Sequence, residues 1–526
     1  MGRDEGRTGD GGRVHTKRTA TVLVLTLLVA GCSAEPERDQ VPSPSPSLSP
    51  SAGETETVPA RTTATFAHGT STLTVAAHPV AVDGDVAVTT LEVTVPADAE
   101  EPVDLGYLLI EDVTERKGAR AVRLVDREAR TALPVVRDDT VWASDGALTV
   151  EPGESLTLHT VHAAPSGEDV DVVLPAVGVV AAVPVVDSTQ DDDAALDVDA
   201  ARDELGGLPT SGGQSYDLRA FTAAYDDQSS VAVEGDDVTL TLTADVLFAA
   251  DEHVLDPEGT RVVEDVARSI VADGAAGRIV VAGHTDDVDT EEYNQSLSEQ
   301  RATSVADALR PALSDDQVVE TAGYGESRPV AAGTDAAARA ANRRVEISFT
   351  AAGTASPSVP TAPGASGPPS TDAPTSTDGE PVQVDAGDGS GTYTVGPATV
   401  VRTAAGLRGT IEIELVDGHG GAVSALFGEY GRGLSAARGF SAVSTHLGLH
   451  ELTLLGETER LYPLDYETDS GTRRILGDEL LAAGPQAPGD VLTVSVYWPD
   501  QGEDVVTIDA PDRFRIVDVP VEDEAR

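Results

Sequence analysis

The sequence predicts a multidomain chain in which a central two-layer α+β domain lies between two all-β, immunoglobulin-like sandwich domains. Three observations carry this. Pro/Ser-rich or acidic, Gly-rich stretches interrupt the 526 residues at three places. The outer pieces alternate apolar and polar residues between closely spaced turns, the two-residue period of half-buried strands. The central piece switches between that period and the helical one.

Residues 1–31 read as a targeting segment. Arg3, Arg7, Arg13, Lys17 and Arg18 make its start basic, and an apolar run, TVLVLTLLVAG, covers Thr21 to Gly31. A bilayer span needs about 20 apolar residues, so this run is too short to cross and suits the core of a signal peptide. It ends in VAGC at Val29–Cys32, and Cys32 is the only cysteine, so no disulfide forms within the chain. The pattern resembles a bacterial lipoprotein signal. That resemblance implies that Cys32 becomes the mature N-terminus and carries two or three acyl chains. Each buried CH2 contributes about 0.8 kcal/mol, so two or more chains anchor stably where one does not. The expected location is the extracytoplasmic face of the cell membrane, lipid-anchored and in contact with the cell wall.

Residues 32–59 form a tether. VPSPSPSLSPSAGETE, Val41 to Glu56, has too little apolar area to fold, and its prolines keep it extended. An acidic and Gly-rich linker covers 188–214, and a Pro/Ser/Thr-rich one covers 351–382. The pieces left between them, 60–187, 215–350 and 383–522, are of ordinary domain size.

The outer pieces share a pattern. Pro152-Gly153 and Pro488-Gly489 each precede an alternating strand, Gly167–Asp169 and Gly502–Asp504 repeat the turn GED, and both final strands carry PV, at Pro184-Val185 and Pro520-Val521. We therefore expect one shared all-β fold, with each copy folding alone. His159 and His162 have no obvious third ligand nearby and read as ordinary strand or turn residues rather than a metal site. The Asp191–Asp193 run lacks the DxDxDG spacing of a calcium loop. No metal or cofactor is expected.

In the central piece the patterns predict strands at Val238–Val246, Arg278–Ala282 and Val345–Phe349, with another following Asp315–Thr321. Helices are expected at Pro257–Ile270, capped by Asp256, and at Ser298–Leu309. Around them stand GHTD (Gly283–Asp286), Asn294, LSEQRA (Leu297–Ala302), GYGESRP (Gly323–Pro329) and NRRVEI (Asn342–Ile347). A bare domain core does not need so many polar and glycine positions among short apolar runs. Asp286 can accept hydrogen bonds from an ammonium, and Arg301 can fork onto a carboxylate with two parallel donors. Together they suit a small zwitterionic ligand. Asn294 organises the loop or caps the helix, and Asn342 and Arg344 are expected at the pocket edge. Arg343 and Arg344 point to opposite faces of a strand, so only one can share the site.

With DVLFAADEHVL (Asp245–Leu255) added, these motifs make the central piece resemble the OmpA-like peptidoglycan-binding domain family over Val238–Thr350. The resemblance implies non-covalent binding of diaminopimelate in the peptidoglycan peptide stem. Asp286 and Arg301 match the family's acid and base, fifteen positions apart. The expected function is thus a membrane-anchored envelope lipoprotein linking membrane to wall, with membrane lipid as a second partner through acylated Cys32. A surface scaffold or adhesin whose β domains bind an envelope protein is the competing reading, and a peptidoglycan hydrolase using unrecognised carboxylates is another.

Charge narrows these choices. Ninety acids against 35 bases give a net charge of −55, with lysine only at 17 and 117, which excludes a phosphate-binding surface for nucleic acid. With the sole cysteine expected to be acylated and ten scattered histidines, a Cys–His couple or zinc hydrolase site is not expected, and the chain reads as a non-enzyme.

Overall fold

The computed structural model describes residues 60–524 apart from 111–117, 189–197, 211, 273, 276, 315, 332, 352–366, 422, 428–437, 439, 441–447 and 479–486. Its centre is a mixed sheet covered on one face by helices. The strands are β1 (Arg219–Ala224), β2 (Ser229–Glu234), β3 (Asp237–Thr243), β4 (Gly277–Gly283), β5 (Gln317–Gly323) and β6 (Arg344–Thr350). The helices are α1 (Pro257–Ala272), α2 (Glu291–Leu309) and α3 (Ala336–Asn342). Pairing runs in the order β1-β2-β3-β6-β4-β5, parallel only between β4 and β5.

Local chemistry accounts for most element boundaries. Asp256 Oδ1 accepts the N–H groups of Glu258 and Gly259, starting α1 where the sequence places it. Helix α2 begins seven residues earlier than its apolar stripe predicts, because Thr290 caps it by accepting Tyr293 N–H at 3.2 Å. The strand expected through Val246 ends at Thr243 and turns into one helical turn, Ala244–Leu247. Val262, Val263, Val266 and Ile270 of α1 and Ala302, Val305 and Leu309 of α2 pack on Leu240, Leu242, Ile279, Val281, Val345 and Ile347. Each fully buried Val, Leu or Ile there contributes roughly 1.5–3 kcal/mol.

Two glycines set how closely α2 approaches the sheet. A Cβ on Gly283 would lie 2.2 Å from the Ser298 carbonyl oxygen, and one on Gly323 would lie 2.5 Å from the Glu299 nitrogen. The helix backbone therefore rests directly on the ends of β4 and β5, beside the GHTD loop.

The outer pieces are two copies of one β arrangement. Strand Asp169–Leu174 pairs with Gly178–Asp187, and Val505–Ala510 pairs with Phe514–Asp523, in corresponding registers: Val170↔Val183 and Val172↔Val180 match Val506↔Val519 and Ile508↔Ile516. Both hairpins bulge at that place, and Ala182 and Asp518, at φ 51 and 55, carry the bulge. Both final strands also pair in parallel with an early one, Val185↔Val80 and Val521↔Val400.

The two copies share one core, where the sequence suggested a separate one for each. Residues of both fill one apolar core, among them Leu73, Leu91 and Val172 with Ile411, Trp498 and Ile516. His68 and Gly69 pair with Leu492 and Val491 across the joint. The buried Asp478 carboxylate accepts Ala176 N–H and Ser495 N–H, and burial raises its pKa to about 6 against those bonds. The linker also differs from expectation. Helix Val198–Leu205 lies within it and buries Ala201 against Val86 and Val161. Just beyond, Tyr216–Asp217 adds to the edge of strand Thr131–Pro134 in the first copy, and β1 adds to Glu459–Leu461 in the second. The central domain is thereby joined to an edge of each copy.

Candidate functional site

The GHTD loop leaves the end of β4 and carries Asp286 beyond the end of the sheet, its side chain 13% exposed. Asp286 Oδ2 accepts from Arg343 Nη1 at 2.8 Å, and Arg343 Nη2 meets Asp245 Oδ2, also at 2.8 Å. The Asp245 hydrogen bond comes first in raising the Arg343 pKa, burial opposes it, and Asp286 adds to it. Arg343 therefore holds two carboxylates together as a fixed cation.

Arg301 stands differently. It lies on α2, 4% exposed, with Nε donating to the Glu252 carbonyl at 3.0 Å and the guanidinium 5.2 Å from the Phe248 ring centre. Among the described residues no carboxylate stands within salt-bridge distance of it. Burial lowers its pKa, and the more distant Asp245 and Asp251 offset this only in part. A nearly buried cation lacking a direct counter-charge is costly, so the site favours an incoming carboxylate. Val254, Val288 and Tyr293, on the neighbouring loops and the first turn of α2, expose apolar surface.

The remaining predicted residues shape the surroundings. The Asn294 amide donates to the carbonyls of Asp286 and Val288 and to Glu326, so it organises the loop from inside α2 instead of capping the helix. Asn342 Oδ1 accepts Val330 N–H and Ala331 N–H, and its amide returns to the Ala331 carbonyl. It braces the segment after GYGESRP.

Arg344 turns away from Asp286. Its Nε binds Glu346 at 2.7 Å and Nη2 the Arg328 carbonyl at 3.2 Å. Of the adjacent pair it is Arg343, between α3 and β6, that meets Asp286, and the sequence did not reveal which of the two faces the loop. Burial raises the pKa of Glu346, but His284 and Arg344 lower it further, to about 2. His284 Nε2 stands 3.5 Å away, so Arg344 is the closer partner. Sequence reasoning missed Arg343 as the Asp286 partner, and it missed Asp245 and Phe248. Both of the latter sit in the DVLF stretch already singled out, which was the available signal. Cys32 and Asp191–Asp193 lie outside the described residues.

The central α+β module thus presents the Asp286 carboxylate and, on α2, the nearly buried Arg301 guanidinium with no carboxylate beside it among the described residues. The chain belongs to the OmpA family through this module: the family model matches residues 247–343. The peptidoglycan-associated lipoprotein of Pseudomonas aeruginosa is 37% identical over 122 residues, 23% of this chain and 71% of that relative. Outer membrane protein A of Bordetella avium is 39% identical over 108 residues, 20% of this chain. The match spans 55% of that relative and 32% of the outer membrane porin F of Pseudomonas fluorescens. Among solved structures, the cell wall anchor of the T6SS from Pseudomonas aeruginosa aligns at 29% identity and a TM-score of 0.21, over 24% of this chain and 90% of that one.

Proposed function

We propose that this chain is an envelope lipoprotein, held to the membrane through acylated Cys32, that binds the diaminopimelate residue of the peptidoglycan stem without covalent chemistry. The observation that carries this reading is Arg301, 4% exposed and without a carboxylate partner among the described residues. A diaminopimelate side chain ends in an ammonium and a carboxylate. The carboxylate takes the Arg301 fork, and the ammonium takes Asp286. Arg343 tempers Asp286 and keeps it oriented, while Asn294 holds the loop that carries it. Asn342 and Arg344 act at the rim by fixing the segment around Arg328 to Ala331. The name of one relative, a peptidoglycan-associated lipoprotein, supports a binding role over a hydrolytic one.

The test is calorimetric titration of the full chain with two soluble stem peptides, one bearing diaminopimelate and one bearing lysine in its place. The lysine peptide lacks the terminal carboxylate and should bind far more weakly. Asp286→Ala should weaken diaminopimelate binding, since it removes the ammonium's partner. Equal affinity for both peptides would show that the ligand is read elsewhere.

A further inference from the structure

A second directly unpaired guanidinium stands where the three pieces meet. Arg130 closes the turn between strands Arg123–Asp126 and Thr131–Pro134, in the left-handed region at φ 55. That conformation is uncommon for a residue bearing a Cβ and persists only where its surroundings impose it. The imposing contact is visible: the Arg130 carbonyl accepts Leu218 N–H at 2.9 Å, tying the turn to the segment that enters β1. The side chain lines a cavity of about 110 Å³ whose walls come from the first β copy, the central domain and the second β copy.

Arg130 makes no side-chain hydrogen bond or ion pair among the described residues. Acids outnumber bases ninety to thirty-five in this chain, so a half-buried arginine left without a carboxylate runs against the average. Burial lowers its pKa with no neighbouring charge to offset the cost. A second polar group of the same cavity is also unsatisfied. Thr222 on β1 is 6% exposed, and its buried Oγ1 has no hydrogen-bond partner. A single missing bond would be a small defect. A cation and a hydroxyl lining one cavity, both unsatisfied, describe the donors of an anion site.

The walls limit which anion fits. Ala220, Val231, Ala405 and Pro499 are apolar and small. Asp500 also lines the cavity, with its charge taken by Arg402 at 2.9 Å. One free guanidinium balances one negative charge, and a dianion would meet Asp500 without a second cation. We infer that the cavity binds a small monocarboxylate with a short apolar body, the Arg130 fork taking the carboxylate and Thr222 Oγ1 donating to it. The occupant would touch all three pieces at once and brace the central domain against both β copies.

This site is separate from the wall-peptide pocket, and the experiment keeps the two apart. The full chain carrying Asp286→Ala and Arg301→Ala is titrated with N-acetylalanine by calorimetry, with inorganic phosphate and the uncharged methyl ester of N-acetylalanine as comparisons. We expect saturable one-to-one binding of N-acetylalanine and none of the ester. Arg130→Met should weaken binding by about tenfold or more, and Arg130→Lys, which keeps charge and stem but not the fork, by less. Thr222→Val should weaken it several-fold. Urea midpoints establish that each variant is folded, and Arg130→Lys keeps the test decisive if Arg130→Met is not. Absence of saturation at millimolar concentrations, unchanged affinity in Arg130→Met, or in Arg130→Lys should Arg130→Met fail to fold, or saturation by phosphate alone would overturn the assignment.

Discussion

Replacing Arg301 by methionine should separate binding from stability, because the two depend on this residue in opposite ways. In the free protein Arg301 offers one bond to the Glu252 carbonyl and one face to Phe248. The bond contributes about 1 kcal/mol net and the ring contact about 0.5–2 kcal/mol. Against these stands the cost of burying a cation that has no adjacent counter-charge, a cost of similar size or larger after relaxation. Methionine fills much of the same stem volume and carries no charge, so the folded state should change by no more than about 1 kcal/mol in either direction. Binding should behave otherwise. Losing the bidentate contact to the ligand carboxylate costs about 2–5 kcal/mol in a desolvated site, which is roughly thirtyfold to several thousandfold in affinity. Urea unfolding and titration with the diaminopimelate peptide, performed on the same preparation, give both numbers. A variant destabilised by several kcal/mol that still binds normally would refute the reasoning, since Arg301 would then be a structural tie.

Two further outcomes follow from the geometry. Gly323→Ala places a methyl group 2.5 Å from the Glu299 nitrogen and 2.7 Å from Ser298 Oγ. It should lift α2 off the sheet and lower stability by about 1–3 kcal/mol or more, read as a shift in the urea midpoint. Glu346, held down to about 2 by His284 and Arg344 against the opposing effect of burial, contributes stability that is fully present above its ordinary carboxylate range near 4.5. That contribution is lost as pH falls from there through about 2, so Glu346→Gln should cost roughly 2 kcal/mol at neutral pH and converge with the parent in strong acid. A constant difference across that window would remove Glu346 from the acid response.

The sequence by itself determined a good deal. The period of apolar residues located α1, β4 and β6 to within two residues, because a helix stripe and a strand alternation are local properties of the chain. The GED and PV repeats anticipated the two β copies, whose registers match strand for strand. The GHTD and LSEQRA motifs brought forward Asp286 and Arg301, the two groups on which the proposed site rests. What they face was a different matter. That Arg343 and not Arg344 reaches Asp286, that Asp245 shares the same arginine, and that Arg301 lies against Phe248 depend on which side of β6 meets the loop after β4. A pattern of period two leaves that choice undecided until the sheet is assembled. The shared core of the β copies was hidden for a related reason. Each copy read alone shows half-buried strands, and nothing in a strand's own alternation says whether its apolar face meets its own domain or a distant partner, as His68 meets Leu492. Arg130 is the same lesson in one residue: its turn is local, but its lack of a counter-charge arises only where three distant segments close around it.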